Sequence, residues 1–431
     1  MRAILLPSTL WLFASLCAAA SQAAKVPQAD LEANARMEHD FLAYDPHYKE
    51  EKEVRIERIR NIAREVLEKE SAGQKTACSH QILFEAMSLI ISSADFKFID
   101  QRLQDAETSL THPEMQAKAE KPDPFDGSWG GCYVEWYLRA GASYDQLRKS
   151  RDASSKPSPL PSWLDRIATP EKLKDYLISI SVSDISHTGV DHEREFNDML
   201  ATLTRMLIRD RNFSVDPELK ATLMDLLLHR FRNPDTGWWG ESYSRSGHVE
   251  FVDDLSITFH LVSYLEGRVP DMPTVIDTTL AVKDLDYPVG RLWKGHYWNH
   301  NNMDLVTLFQ YGWASASDQQ RKAMQAEIEK MLRWCLTDSL QPDGSFKPVL
   351  ADGSLEESME YGVSFLARIG FFDKSKRFWT SQDFPQAEEV HNRILTYVKK
   401  HQASGGAGGT QYQGVLEDLN DIPAEAKAKQ R

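Results

Sequence analysis

From residue 54 onward, apolar positions recur at helical spacing and alternate between two kinds of segment. Val54, Ile56, Ile59, Ile62, Ala63, Val66 and Leu67 fall mostly on one face, which predicts an amphipathic helix over residues 54–70. Ile82 to Ile91 is apolar nearly all round, as expected of a helix covered on both sides. The alternation then continues. Phe96–Glu107, Glu171–Ile180, Glu218–Phe231, Pro273–Val282 and Asp318–Leu336 read as outer helices. Cys132–Ala140, Glu195–Leu207, Asp253–Leu265, Asn302–Tyr311 and Glu357–Ile369 read as inner ones, and Gln386–Lys400 adds a last helix. Period-two alternation is nearly absent, apart from short hairpins expected within residues 238–250 and 346–352.

A loop rich in Gly, Trp, His and Asp precedes the inner segments and returns about every 50 to 60 residues, the mark of one supersecondary unit stacked on copies of itself. His80, Trp136, Asn197, Asp254, Asp304 and Met359 anchor six such units. The fold class is therefore all-α. The Asp-Gly-Ser-Phe, Asp-Gly-Ser-Trp and Asp-Thr-Gly-Trp-Trp turns are similar to those of toroidal polysaccharide lyases, glycosidases and terpenoid cyclases. The resemblance implies an (α/α)6 toroid of about six helix pairs, with long functional loops on one face. It places the loops at His80, Ser128, Asp191, Trp239, His300 and Glu356 together, around the positive ends of the inner helices.

The flanks divide the chain further. Met1-Arg2, the apolar stretch Ile4 to Cys17 and the small residues that follow read as a signal peptide over residues 1–23. Residues 24–53 form a polar lead-in, 54–402 the helical domain, and 403–431 a Gly-rich flexible tail. The Ser150 to Ser162 stretch reads as an exposed connection. The expected location is secreted or periplasmic, with no membrane insertion once the signal is removed. Formal net charge is −14 without a basic tract, which argues against nucleic acid as a partner. It weighs against a polyanionic substrate only globally, because a local basic funnel can override the overall field. Of the cysteines, Cys17 leaves with the signal; Cys78 and Cys132 can pair, but buried free thiols are the expectation. His296 and His300 have the spacing of a helical metal pair but fall in a predicted loop, so no metal is expected. With no P-loop or dinucleotide fingerprint, no cofactor is expected either.

The densest chemistry lies in Lys294–Asn302, where His296, Tyr297, Trp298, Asn299, His300 and Asn301 crowd one loop. Buried polar groups need partners, so a plain core segment would not carry so many. His300, Asn299, Asn301 and Tyr297 are the candidate catalysts there, His300 first among them, with His296 and Trp298 as binding residues. The competing reading makes Asn301 or Asn302 a helix cap. Asp191 and His192 form a second candidate group, although acidic residues also suit the first turn of a helix. Trp238, Trp239, Tyr243 and His248 offer flat faces and polar tips for a sugar, or a plug for the ring. Asp253 and Asp254 open an inner helix, one as cap and the other as a candidate carboxylate catalyst. Glu357 and Tyr361 complete the set.

These residues suit a carbohydrate or another small polar ligand. In a lyase, Asn and His neutralise a uronate carboxylate while Tyr or His moves the proton; the resemblance implies an Asn-His pair, and Asn299-His300 has that order. In a glycosidase, two carboxyls flank the bond, and Asp191, Asp253, Asp254 or Glu357 can supply them. The expectation is an exported carbohydrate-active enzyme, lyase or glycosidase. The alternatives are a non-catalytic toroid that binds glycan or protein and, further off, a terpenoid cyclase, whose Asp-x-Asp-Asp motif is missing.

Overall fold

The computed structural model describes residues 27–150, 156–348 and 355–402, together with Val415 and Leu419. The expected signal segment, most of the expected tail and parts of the 150–162 and 346–352 stretches lie outside them. The described chain is mostly helical, as its periodicity predicts. The long helices are α1 (Ala33–Tyr44), α2 (Tyr48–Ser71), α3 (Ala77–Ser92), α4 (Phe96–Thr111), α5 (Trp136–Ser150), α6 (Pro170–Ser179) and α7 (Glu193–Leu203). They continue with α8 (Pro217–Asp225), α9 (Leu255–Tyr264), α10 (Met272–Val282), α11 (Asn299–Gly312), α12 (Asp318–Trp334), α13 (Leu355–Arg368) and α14 (Ala387–Gln402). Helices α7, α8 and α12 each run on into a π-helical turn, at residues 204–209, 226–230 and 335–339.

Helices α5, α7, α9, α11 and α13 pack in sequence and run in one direction. Their polarity can be followed through side chains. At one end Trp136 packs edge-on to Tyr176, whose hydroxyl donates to Glu195 at the start of α7. At the other end the Tyr144 hydroxyl donates to Asp210, just beyond the α7 turn. Likewise His300 in the first turn of α11 stacks on Tyr361 of α13, while Arg368 at the end of α13 donates to Gln310 near the end of α11. Outside them α8 packs on α6, and α10 packs on α11 and α12.

Helix α3 departs from this order. Asp191 N–H donates to Ser92 O and Ala94 N–H to Gly189 O, each at 2.8 Å, so the C-terminal end of α3 meets the N-terminal end of α7. His80 is therefore roughly 18 Å along the helix from that junction, not beside Asp191 as expected. It is exposed and bonds Glu70 instead. Only residues 93–95 separate α3 from α4, so those two helices are antiparallel neighbours. The Ser128 loop is also elsewhere, with Trp129 N–H bonded to Ser143 in the second half of α5. Cys78 and Cys132 are joined in a disulfide and not free as expected; Cys335 is buried and free.

The expected hairpin forms as Ser242–Arg245 paired antiparallel with His248–Phe251, and Val182–Ser183 adds a parallel strand. The lead-in is more structured than its polarity suggests, because α1 has anchors on this hairpin and beyond it. Arg36 pairs with Glu250, Arg245 with Asp40, and Asn34 donates to Tyr287 O. Beneath them Phe41, Tyr48, Ile185, Tyr243 and Val252 share one apolar cluster.

Candidate active site

The N-terminal ends of α7, α9 and α11 converge beneath α1 and α2, and buried carboxyl groups collect there. Asp191, just before α7, is 7% exposed; its Oδ1 accepts from Glu193 N–H at 2.9 Å and from the Tyr243 hydroxyl at 3.2 Å. Glu241 is buried near it and takes a hydrogen bond from Ser183. Glu193 is the first residue of α7, and Asp254 beside it helps to raise its pKa. Asp254 is the cap of α9: its Oδ1 accepts from Ile257 N–H at 2.8 Å, and Tyr287 reaches its Oδ2 at 3.5 Å. So of the two aspartates, Asp254 is the one that caps. Asp253 turns toward Asn233, while its N–H donates to Asp30 of the N-terminal segment.

Burial disfavours the charged form of every member. It pushes Asp254 up to about 6 and Asp253, with Asp30 beside it, up to about 8. It also raises Glu193 and Glu241 well above the usual range, with Asp191 adding to both shifts. The result is two pairs in which a protonated glutamic acid faces an aspartate. Asp191 and Glu193 line a cavity of about 890 Å³ together with Tyr287, Trp293 and Lys294.

From this cavity a row of rings leads inward. Tyr287 lies 6.0 Å from Trp293, Trp293 5.4 Å from Trp298, Trp298 4.8 Å from His300, and His300 stacks on Tyr361 at 3.8 Å, each between centroids. His300 stands 3.8 Å from Asp304 and 3.6 Å from Glu357. Burial pushes its imidazolium toward neutrality, but Asp304, Glu357 and Glu360 outweigh this and leave its pKa raised. Asp304 is fully buried, and burial lifts it to about 7 against the pull of His300.

Other expected site residues are placed differently. Helix α11 begins at Asn299, so His300 sits in a helical first turn and not in a loop, and the cap position is Trp298, not Asn301 or Asn302. Asn299 is tied to Ser339 and Asn301 to Arg291 O, both buried, so their amides hold the framework. Tyr297 faces away, under Arg291 and against Trp334. Trp238 and Trp239 are wholly buried, their indoles bonded to Val275 O and Leu227 O; they are core and not a ligand platform. Gly240 follows because a Cβ there would lie 1.8 Å from Val252 O. Tyr243 is buried on Asp191, His192 points to Glu195 at 3.7 Å, His248 is exposed at the start of the second hairpin strand, and His296 is exposed where it bridges Trp293. No group of three or more metal-binding side chains occurs among the described residues.

Glu193 and Glu241 were not among the expected site residues. Glu193 opens a helix, where an acidic residue usually only complements the dipole. Glu241 was masked by the Trp pair beside it. Compared with models of known families, with curated proteins and with solved structures, the chain matches none.

Proposed function

We propose that the protein is an exported carbohydrate-active enzyme with an (α/α)6 toroidal fold, and that it hydrolyses a glycosidic bond with Glu193 as proton donor and Asp191 as base or nucleophile. The observation that carries this reading is the pair of differently tuned carboxyls on one cavity wall, beside the flat faces of Tyr287 and Trp293. Glu193 keeps its proton because burial disfavours its charged form and because Asp191 and Asp254 repel a second negative charge. Burial raises the Asp191 pKa, and hydrogen bonds from Glu193 N–H and Tyr243 offset part of that rise. Carboxyls in direct contact cannot flank a glycosidic bond, which requires about 5 Å or more between them, so donor and base must come from different pairs. The toroid is supported by the repeat period and by five codirectional helices with others packed outside them. Export is supported by the charged, apolar and small-residue pattern of residues 1–23. A lyase is less favoured, because Asn299, Asn301 and Tyr297 are committed to framework contacts.

The test is a panel of neutral and acidic glycans assayed both for new reducing ends and for the ultraviolet absorbance of an unsaturated uronate. Reducing ends without that absorbance, lost in Glu193→Gln by about 100-fold or more, are the expected result. Absorbance that survives Glu193→Gln overturns the hydrolase in favour of a lyase. Binding without either product leaves a non-catalytic toroid.

A further inference from the structure

A second cavity, of about 850 Å³, lies among the C-terminal halves of the same helices. Four cationic side chains line it: Arg205 and Arg209 beyond α7, Arg368 at the end of α13, and Lys376. One carboxylate, Glu360, faces them, in a chain whose formal net charge is −14. Arg205 and Arg209 both stand 5.4 Å from the Tyr264 ring, so one aromatic ring carries two guanidinium groups. Asp210 neutralises them only in part, at 3.5 Å and 3.8 Å. His260, whose buried Nδ1 has no hydrogen-bond partner among the described residues, opens on the same space. So does Tyr361, the last ring of the row that begins at the 890 Å³ cavity.

Cations grouped around aromatic faces and hydroxyls do not suit a neutral ligand, since the guanidinium forks lack oxyanions to grip. We infer that this second cavity binds the carboxylate or sulfate groups of an acidic saccharide, making the ligand anionic although the protein is too. The saccharide part rests on the function proposed above; the charge rests on the cavity alone. A local positive field of this kind also explains how a polyanion can approach an acidic protein.

Calorimetric titration of the mature protein tests this, with an oligogalacturonate, a sulfated oligosaccharide and a neutral oligosaccharide of equal length as probes. Expected is binding of one or both acidic probes, at least tenfold tighter than the neutral one and weakened by added salt. Arg209→Gln/Lys376→Gln, at exposed positions, should lose most of that preference while keeping the wild-type melting temperature. Arg205→Lys should keep more of it than Arg205→Gln. The carboxylate and sulfate probes tell the two groups apart. Equal binding of acidic and neutral probes, or full acidic binding by the double variant, overturns the inference and leaves the proposed hydrolysis standing. Absence of binding by all three overturns the carbohydrate reading together with it.

Discussion

The two cavities have nearly equal volumes, about 890 and 850 Å³, yet differ in charge balance: Glu38, Glu53, Asp191, Glu193 and Asp286 line the first beside Lys49, Lys52, Arg194 and Lys294, whereas Arg205, Arg209, Arg368 and Lys376 face the lone carboxylate Glu360 in the second. Asp191 and Glu193 on the wall of the first cavity, and the buried Asp253 and Asp254 near it, stand at or before the N-termini of α7 and α9. Around the second lie Arg205, Arg209 and Arg368, in the last turns of α7 and α13 or just past them. Helix polarity accounts for the segregation. Positive helix ends ease the burial of carboxylates, and negative ends ease the burial of guanidinium groups. The two regions differ also in how they are built. The carboxyls sit on short loops locked into the core by Gly240, Trp239 and the Asp254 cap, whereas the cations are long side chains standing off intact turns. Change should therefore be costly at the first cavity and cheap at the second.

This contrast also explains what could be read in the chain. Helical periodicity gave nearly every long helix, because burial of one stripe is a local property of sequence. It did not give the reversal of α3, which is seen in the long-range contacts of Ser92 and Ala94 with Asp191 and Gly189 and not in any spacing between anchors. Trp238 and Trp239 have the composition of a sugar platform, and only packing distinguishes that from a core plug. Arg205, Arg209 and Arg368 look like ordinary complements of helix C-termini. Their convergence depends on three helices lying side by side, which no local pattern encodes. His300 and Tyr361 were both legible as polar aromatics at inner-helix starts; the stack between them was not.

The largest expected effect probes the rigid side of the comparison. Trp239→Ala removes a wholly buried indole and should cost about 3–5 kcal/mol of stability, read as a large drop in melting temperature. Arg209→Gln at the other cavity should stay within about 0.5 kcal/mol. Similar losses at both sites would break the contrast.

Asp254→Asn asks whether the carboxyls near the first cavity are coupled as described. Asn caps a helix as well as Asp does, so α9 should keep its start. The substitution removes a negative charge and an acceptor that both raise the Glu193 pKa. The alkaline limb of the activity profile should therefore move to lower pH, with little change in melting temperature. An unmoved limb would separate Glu193 from proton donation.

Asp253→Asn gives a smaller effect with a definite sign. The folded pKa, about 8, exceeds the unfolded value near 4, so the contribution of Asp253 is fully present below the unfolded value and is lost as pH rises through 8. Asn does not ionise. The variant should gain thermal stability over the wild type between pH 5 and pH 9, as melting curves across that range will show. A constant difference would mean that Asp253 is not buried as a neutral acid.

The most informative change is at His300, the link between the two cavities. Its raised pKa means that its contribution is present below its unfolded value and fades as pH rises through the folded one. His300→Ala should thus cost about 1–2 kcal/mol in mildly acidic buffer and less at pH 9. Turnover should fall at least tenfold beyond any loss of folded protein, because Tyr361 loses the ring that holds it on the wall of the second cavity. His300→Phe separates the two roles. A phenyl ring can keep the stack on Tyr361 but cannot answer the charge of Asp304 or Glu357. If His300→Phe restores turnover, His300 is a positioning residue that acts through Tyr361. If it fails while melting is restored, the imidazolium charge is what the site requires. If His300→Ala is fully active on the identified substrate, the row of rings is only packing, and the burden of the chemistry passes to Asp191 and Glu193.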